Sequence, residues 1–75
     1  MKLSDLRKGE KGLVVTVKNN NSLLRKRMLE MGFTKGVVVM VKKIAPFGDP
    51  IDIELRGYEL CLRKDDLDNI EVTKL

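Results

Sequence analysis

Apolar and polar residues alternate over several short segments of this chain, which is the two-residue period typical of β-strands. Turn-forming Gly, Pro and Asn residues separate most of these segments. We predict strands over residues 13–18, 37–44, 51–55, 58–62 and 70–72. Residues 37–41 are apolar on both faces. This pattern is typical of a central strand, or of a strand whose outer face is covered.

One segment follows a helical period instead. Leu24, Met28 and Met31 are spaced at i, i+4 and i+7, and this spacing predicts the buried stripe of a short α-helix over residues 23–31. Asn21 or Ser22 is expected to cap the start of this helix. Gly32 is expected to end it in the left-handed conformation that glycine adopts easily.

Glycine and proline predict the remaining turns. Gly36 opens the strand after the helix, and Gly57 lies in a tight reversal. Gly48 and Pro50 shape a wide turn over residues 46–50. Asp49 of this turn has two interpretations: it accepts a backbone amide hydrogen, or it forms part of an exposed acidic loop that contacts a partner.

Two short turns complete the predicted fold. Residues 3–6 are expected to plug one end of the core with Leu3 and Leu6, and residues 64–69 are expected to form a single helical turn. A mainly β chain of 75 residues, with about five strands and one short α-helix after the first strand, predicts a small SH3-like barrel. We expect residues 1–75 to form a single domain.

The charge is modestly basic. Fifteen Lys and Arg against 11 Asp and Glu give a net charge of +4, with both signs interspersed along the chain. Basic clusters at residues 25–27 and 42–43 leave open a nucleic-acid-binding small barrel of the translation or transcription machinery. Base stacking requires exposed aromatic residues among the basic ones, and the chain has only two Phe and one Tyr. We therefore prefer a protein partner to a nucleic acid.

Catalytic chemistry and metal binding have little support in the residue types. The chain has no histidine, which removes the usual general base near neutral pH. The only cysteine, Cys61, is interpreted as a small strand residue rather than a reactive thiol. Asp65, Asp66 and Asp68 are expected to lie on a solvated helical turn rather than to bind a metal. We predict no catalytic residues, no metal site and no enzymatic activity.

The lone cysteine and the short apolar segments indicate a location for the chain. One cysteine excludes an intramolecular disulfide and fits a reducing compartment. The longest apolar run, residues 37–41, is too short to span a bilayer. The first residues lack the apolar stretch of a signal peptide. We therefore expect a cytoplasmic chain.

Taken in order, these motifs resemble the FeoA family (ferrous iron transport protein A). The chain departs from the family pattern at Cys61, where alanine is expected, and in the longer stretch over residues 19–21. The resemblance otherwise spans essentially the whole chain. The matching segments are residues 3–6 with Gly9, 27–36, 46–50, 56–63 and 70–72.

The resemblance implies an SH3-like barrel with a role in bacterial ferrous iron uptake. It implies FeoB as the partner, a membrane permease with a cytoplasmic GTP-binding domain. We expect this chain to be a non-enzymatic interaction module without a cofactor, recruited to the inner face of the membrane by the permease and not inserted itself. The family resemblance leaves weak transition-metal binding open. The sequence does not fix the oligomeric state, so a homo-oligomer is open as well.

The surface that binds the partner is predicted on the helix and its exit. Leu29 is apolar but lies off the buried stripe, and basic Arg25 and Lys26 lie beside it. An exposed apolar side chain surrounded by charge is typical of a small docking site. Phe47 and Asp49 of the wide turn are added to this surface. The alternative is that Leu29 packs on the barrel rim or on the Phe47 loop.

Overall fold

Five antiparallel strands form one sheet in the computed structural model, which describes residues 1–75. The strand order is β4-β3-β2-β1-β5, so the strand predicted to be central is central. The strands are β1 Lys11–Val17, β2 Val38–Ile44, β3 Ile51–Leu55, β4 Tyr58–Leu62 and β5 Ile70–Lys74. A 3₁₀ turn spans Leu3–Asp5, helix α1 spans Ser22–Glu30 and helix α2 spans Lys64–Leu67. The predicted mainly β architecture with one short helix after the first strand is confirmed.

The core lies between the curved sheet and the short turns that close it. Fourteen hydrophobic residues are buried, and no polar or charged residue is buried with them. Strand β3 shows the predicted alternation most clearly, because Ile51, Ile53 and Leu55 are buried while Asp52 and Glu54 are half-buried. This burial of apolar area is the main term that stabilises so small a barrel.

One end of the core is plugged by the N-terminal turn and α2. Leu3 and Leu6 are almost fully buried, as predicted, and Leu67 of α2 is buried with them. The hydroxyl of Ser4 donates a hydrogen bond to the carboxylate of Asp68, which ties the two turns together. The helical turn predicted over residues 64–69 is therefore present and packs against the start of the chain.

Helix α1 begins and ends where the sequence indicates, to within one residue. The side chain of Asn21 accepts hydrogen bonds from the amides of Leu23 and Leu24, at 3.0 and 3.2 Å. Only Met28 of the predicted stripe is fully buried, while Leu24 and Met31 are half-buried. The buried stripe is therefore one residue wide and not three as predicted, because the helix lies on the rim of the barrel.

The alternating apolar residues of strand β4 are less buried than those of β3. Leu60 and Leu62 pack against the core but are only half-buried, and Tyr58 is 43% exposed. Because β4 is an edge strand, only β3 lies beside it to cover its side chains. The two-residue period predicted the strand correctly but carried no signal of its position in the sheet.

Candidate partner-binding surface

The predicted partner-binding residues lie in two groups. Arg25, Lys26 and Leu29 lie on α1, and Phe47 and Asp49 lie in the loop between β2 and β3. The exit of α1 contacts the β3–β4 turn, whereas the loop precedes the opposite end of β3. Five extended residues separate these ends by about 13 Å. The two groups therefore lie towards opposite ends of β3, and Phe47, at 99% exposure, is not packed against Leu29.

The group on α1 is an exposed apolar side chain with basic neighbours, which we call the helix surface (Arg25, Lys26 and Leu29). Leu29 is 43% exposed, and both basic residues are exposed. They precede Leu29 by four and three residues, so all three lie on one side of the helix. None of the ion pairs in the chain involves Arg25 or Lys26. Their charges are thus available to an acidic partner.

The end of α1 is held by the β3–β4 turn. The hydroxyl of Tyr58 donates to the carbonyl of Met31 at 2.6 Å, and the Nη2 of Arg56 donates to Thr34 Oγ1 at 2.9 Å. Gly32, at φ +110°, brings the backbone close to these side chains. Sequence reasoning did not assign Tyr58 or Arg56 to this site, because no local pattern reveals a contact between segments so far apart in the chain.

The β2–β3 loop carries an exposed aromatic ring, that of Phe47, and a hydrogen-bonded carboxylate, that of Asp49. Phe47 is 99% exposed at the loop tip. The Oδ1 of Asp49 accepts a hydrogen bond from the backbone amide of Lys64 at 2.9 Å. Asp49 therefore accepts a backbone amide hydrogen, as one of the two interpretations expected, but the donor belongs to α2 and not to its own turn.

The residues predicted to form turns adopt turn conformations. Gly32, Gly36, Gly48 and Gly57 all have positive φ, where a side chain is disfavoured. Pro50 follows a cis peptide bond in the wide turn. The Gly and Pro positions therefore define the loops around α1 and β3, while the docking role of the residues between them stays a prediction.

Cys61 lies in strand β4, as expected, but its side chain is exposed rather than packed. Its pKa is raised, chiefly because the thiol hydrogen-bonds to the carboxylate of Asp52. Desolvation and the negative charges of Asp52 and Asp49 act in the same direction. A raised pKa disfavours the nucleophilic thiolate.

The structure shows no ready metal centre. No group of three or more His, Cys, Asp or Glu side chains is arranged to hold a metal ion. None of the helices combines the length and apolar character needed to cross a membrane. The prediction that this chain lacks a metal site of its own stays a prediction.

The aromatic residues have three different environments. Phe33 is completely buried, and Tyr58 uses its hydroxyl to hold the end of α1. Phe47 alone is fully exposed. In the neighbouring basic cluster, Lys42 lies 4.0 Å from the carboxylate of Glu54. The rings and basic residues do not form the alternating row that single-stranded nucleic acids require for stacking.

Comparison with known proteins gives a consistent match. The FeoA domain model matches residues 1–74. The chain is 39% identical over 72 residues to an Fe(2+) transport protein A/Fe(2+) transporter FeoB fusion protein of Porphyromonas gingivalis. That match covers 96% of this chain but only 8% of the fusion protein, so the chain is similar to a small part of it.

Solved structures support the same assignment. A FeoA-like protein from Clostridium acetobutylicum superposes with a TM-score of 0.91 at 33% identity, over 100% of this chain and 86% of that protein. FeoA of Stenotrophomonas maltophilia, an SH3 domain protein complexed with zinc, gives a TM-score of 0.87 at 25% identity, over 97% and 89%. These matches confirm the SH3-like fold.

The match and the fold together identify the class of protein. FeoA domains are non-enzymatic accessory domains of iron transport, and this confirms the prediction that the chain is not an enzyme. The resemblance noted in the sequence motifs is confirmed over nearly the full length of the chain. The chain therefore belongs to the FeoA domain family.

Proposed function

We propose that this chain is an accessory protein of ferrous iron transport that acts by binding the cytoplasmic part of a FeoB-type permease. The observation that carries the proposal is the fusion protein, in which a segment 39% identical to this chain is joined to the transporter FeoB. Tethering raises the effective concentration of two domains for each other, so even a weak contact between them is occupied. Such a fusion is therefore expected for domains that work in contact.

The helix surface is the proposed contact. Leu29 offers an apolar anchor of the kind that fits a pocket, and its exposed fraction of 43% leaves that area free for burial. Arg25 and Lys26 lie at its side without ion pairs. A complementary partner has an apolar pocket with an acidic rim, and such charge complementarity speeds association and fixes orientation.

Phe47 is proposed as a separate second contact. Its ring is 99% exposed and lies at the far end of β3 from the helix surface. Asp49 holds the loop to α2 through the amide of Lys64. We therefore assign Asp49 to positioning the loop, and Phe47 to contacting a partner that extends across both ends of β3.

The substitution Leu29→Ser tests the helix surface. We expect the free energy of unfolding to fall by less than about 1 kcal/mol, because the side chain lies outside the core. Affinity for the purified cytoplasmic domain of the permease should fall by about tenfold or more, as for an interface anchor. Leu75→Ser is the matched control, since Leu75 is 63% exposed and its amide bonds to Lys11, at the opposite end of β1 from α1.

Two outcomes would count against this assignment. If Leu29→Ser bound with unchanged affinity, the contact would lie outside the helix surface. The variant Phe47→Ser would then test the loop. Failure of the unmodified chain to bind the permease domain would reject the proposal as a whole. Steep loss of binding with added salt, together with capture of nucleic acid, would favour the nucleic-acid-binding alternative.

A further inference from the structure

Strand β4 has a free edge. It pairs with β3 on one side and ends the sheet on the other. No helix or other strand lies along it, and the backbone bonds outside the helices and strands do not involve residues 58–62. The opposite edge, β5, is covered by the start of the chain, because the amide of Val72 donates to the carbonyl of Met1 at 2.7 Å. An edge with unpaired N–H and C=O groups is a template for another strand.

The register of the β3–β4 hairpin determines which backbone groups of β4 face away from β3. The β3–β4 turn has two residues, so Leu55 and Tyr58 form the hydrogen-bonded pair that closes it. Hydrogen-bonded and non-hydrogen-bonded pairs alternate along an antiparallel ladder. The N–H and C=O groups of Glu59 and Cys61 therefore point away from β3. Arg63, at φ −73° and ψ 147°, continues the extended edge with its N–H, while its carbonyl accepts the amides of Asp66 and Leu67 at the start of α2.

The side chains along this edge are self-complementary. Glu59, Cys61 and Arg63 are all exposed and lie at every second position on one face. Neither Glu59 nor Arg63 belongs to an ion pair within the chain. The residue opposite Glu59 on β3 is a second carboxylate, Glu54, which leaves Glu59 without a cation as its cross-strand neighbour.

We propose that two copies of this chain associate through their β4 edges, in an antiparallel register centred on Cys61. This register places Glu59 of each copy opposite Arg63 of the other, and it places the two Cys61 residues opposite each other. It also brings Leu60 of each copy opposite Leu62 of the other, so the exposed parts of these side chains cover one another. A register centred on Glu59 would oppose two carboxylates instead, and cross-strand like charges are unfavourable.

The charges at this edge favour a second copy over a generic strand. Charged residues on an edge strand usually discourage strand addition. Here the two charges are opposite in sign and equally spaced from Cys61, so only a strand with the reversed order satisfies both. The same strand in a second copy has that order by symmetry. The contact is only five residues long, against the roughly 20–30 residues a side of a standard interface, so the dimer should be weak and concentration-dependent.

Charge-reversal variants test this register, with the dissociation constant of the dimer measured by sedimentation equilibrium. We expect Arg63→Glu or Glu59→Arg to weaken dimerisation about tenfold, because each change turns two attractive cross-strand pairs into two repulsive ones. The double variant Glu59→Arg/Arg63→Glu restores both pairs and should return the dissociation constant to within about threefold of the unmodified chain. Lys35→Glu, at an exposed site near the end of α1, changes the net charge as Arg63→Glu does and should have little effect.

Disulfide trapping gives a second readout that does not depend on charge. Cα atoms of a hydrogen-bonded antiparallel pair lie about 5.5 Å apart, which is within the range of a disulfide. Diamide should convert two Cys61 thiols to one disulfide, taking up their two electrons and two protons, at a mildly alkaline pH that forms some thiolate. Arg63→Glu should slow this trapping, and Cys61→Ser should abolish it. A chain that sediments as a monomer at all concentrations, or a dimer that the double variant does not restore, would overturn the proposal.

Discussion

At the scale of single residues, Gly32 is the one glycine that combines a positive φ with close neighbours of an added Cβ. Its φ is +110°, and a Cβ placed there would lie 2.9 Å from Leu55 Cδ1 and 3.0 Å from the Tyr58 hydroxyl. A side chain here would strain the backbone and would also have to displace the ends of these two side chains. Backbone conformation and close packing both disfavour a substitution at this position.

We expect Gly32→Ala to lower the melting temperature by more than Gly36→Ala does. Gly36 has φ +90° but no atom within 4 Å of the added Cβ, so its substitution measures backbone strain alone. Each loss of about 1 kcal/mol lowers the melting temperature of a domain this small by roughly 4–8 °C. Thermal unfolding followed by circular dichroism measures both variants. Equal shifts would mean that Leu55 and Tyr58 move aside without cost.

At the scale of elements, the β2–β3 loop is fastened to α2 by a single side chain. Asp49 Oδ1 accepts the amide hydrogen of Lys64, the first residue of α2. Amides in the first turn of a helix have no partner within the helix, so this bond acts as a cap supplied from a distant loop. The loop and α2 are thereby linked at the end of the sheet where β3 begins and β4 ends.

Two substitutions separate the hydrogen bond from the charge of Asp49. Asp49→Ala should lower the free energy of unfolding by about 0.5–2 kcal/mol, the usual cost of losing a cap. Asp49→Asn keeps an acceptor oxygen and should cost much less. Urea unfolding of both variants gives the comparison. An equal loss in both would show that the negative charge, and not the bond, holds the loop.

Elements formed by neighbouring residues are predictable here, and contacts between distant elements are not. Asn21 and Gly32 indicated both ends of α1 because capping and left-handed glycine act within one turn of the helix. The link from Asp49 to α2 joins residues 15 positions apart, and the Tyr58–Met31 bond joins residues 27 apart. Such pairings depend on how the sheet curves. The same limit explains why the sequence did not reveal that Leu29 and Phe47 lie towards opposite ends of β3.

At the scale of the whole molecule, the start of the chain is fastened to its last strand by charge. The N-terminal amine of Met1 lies 3.0 Å from the carboxylate of Glu71, and Lys74 forms an ion pair with Glu10. The hydrogen bond from the amine lowers the pKa of Glu71, and the hydrogen bond from Lys74 is the main cause of the lowered pKa of Glu10. Both carboxylates therefore favour the folded chain when ionised.

These shifts predict a loss of stability in acid. A carboxylate with a lowered pKa in the folded state contributes its stability above the ordinary value of 4.5, and the contribution disappears as the pH falls through the folded pKa. We expect the urea midpoint to fall as the pH decreases from about 5 to about 3. Because these groups are exposed, added salt should reduce the effect.

The variant Glu71→Gln isolates one of these contributions. It cannot ionise, so its unfolding midpoint should change less with pH over the acidic range than that of the unmodified chain. Glu30→Gln is the matched control, because Glu30 is exposed on α1 and forms no ion pair. It should keep the full pH dependence. If the unfolding midpoints of Glu71→Gln and Glu30→Gln changed equally with pH over the acidic range, the pairing of Met1 with β5 would not be a source of the folded chain's stability.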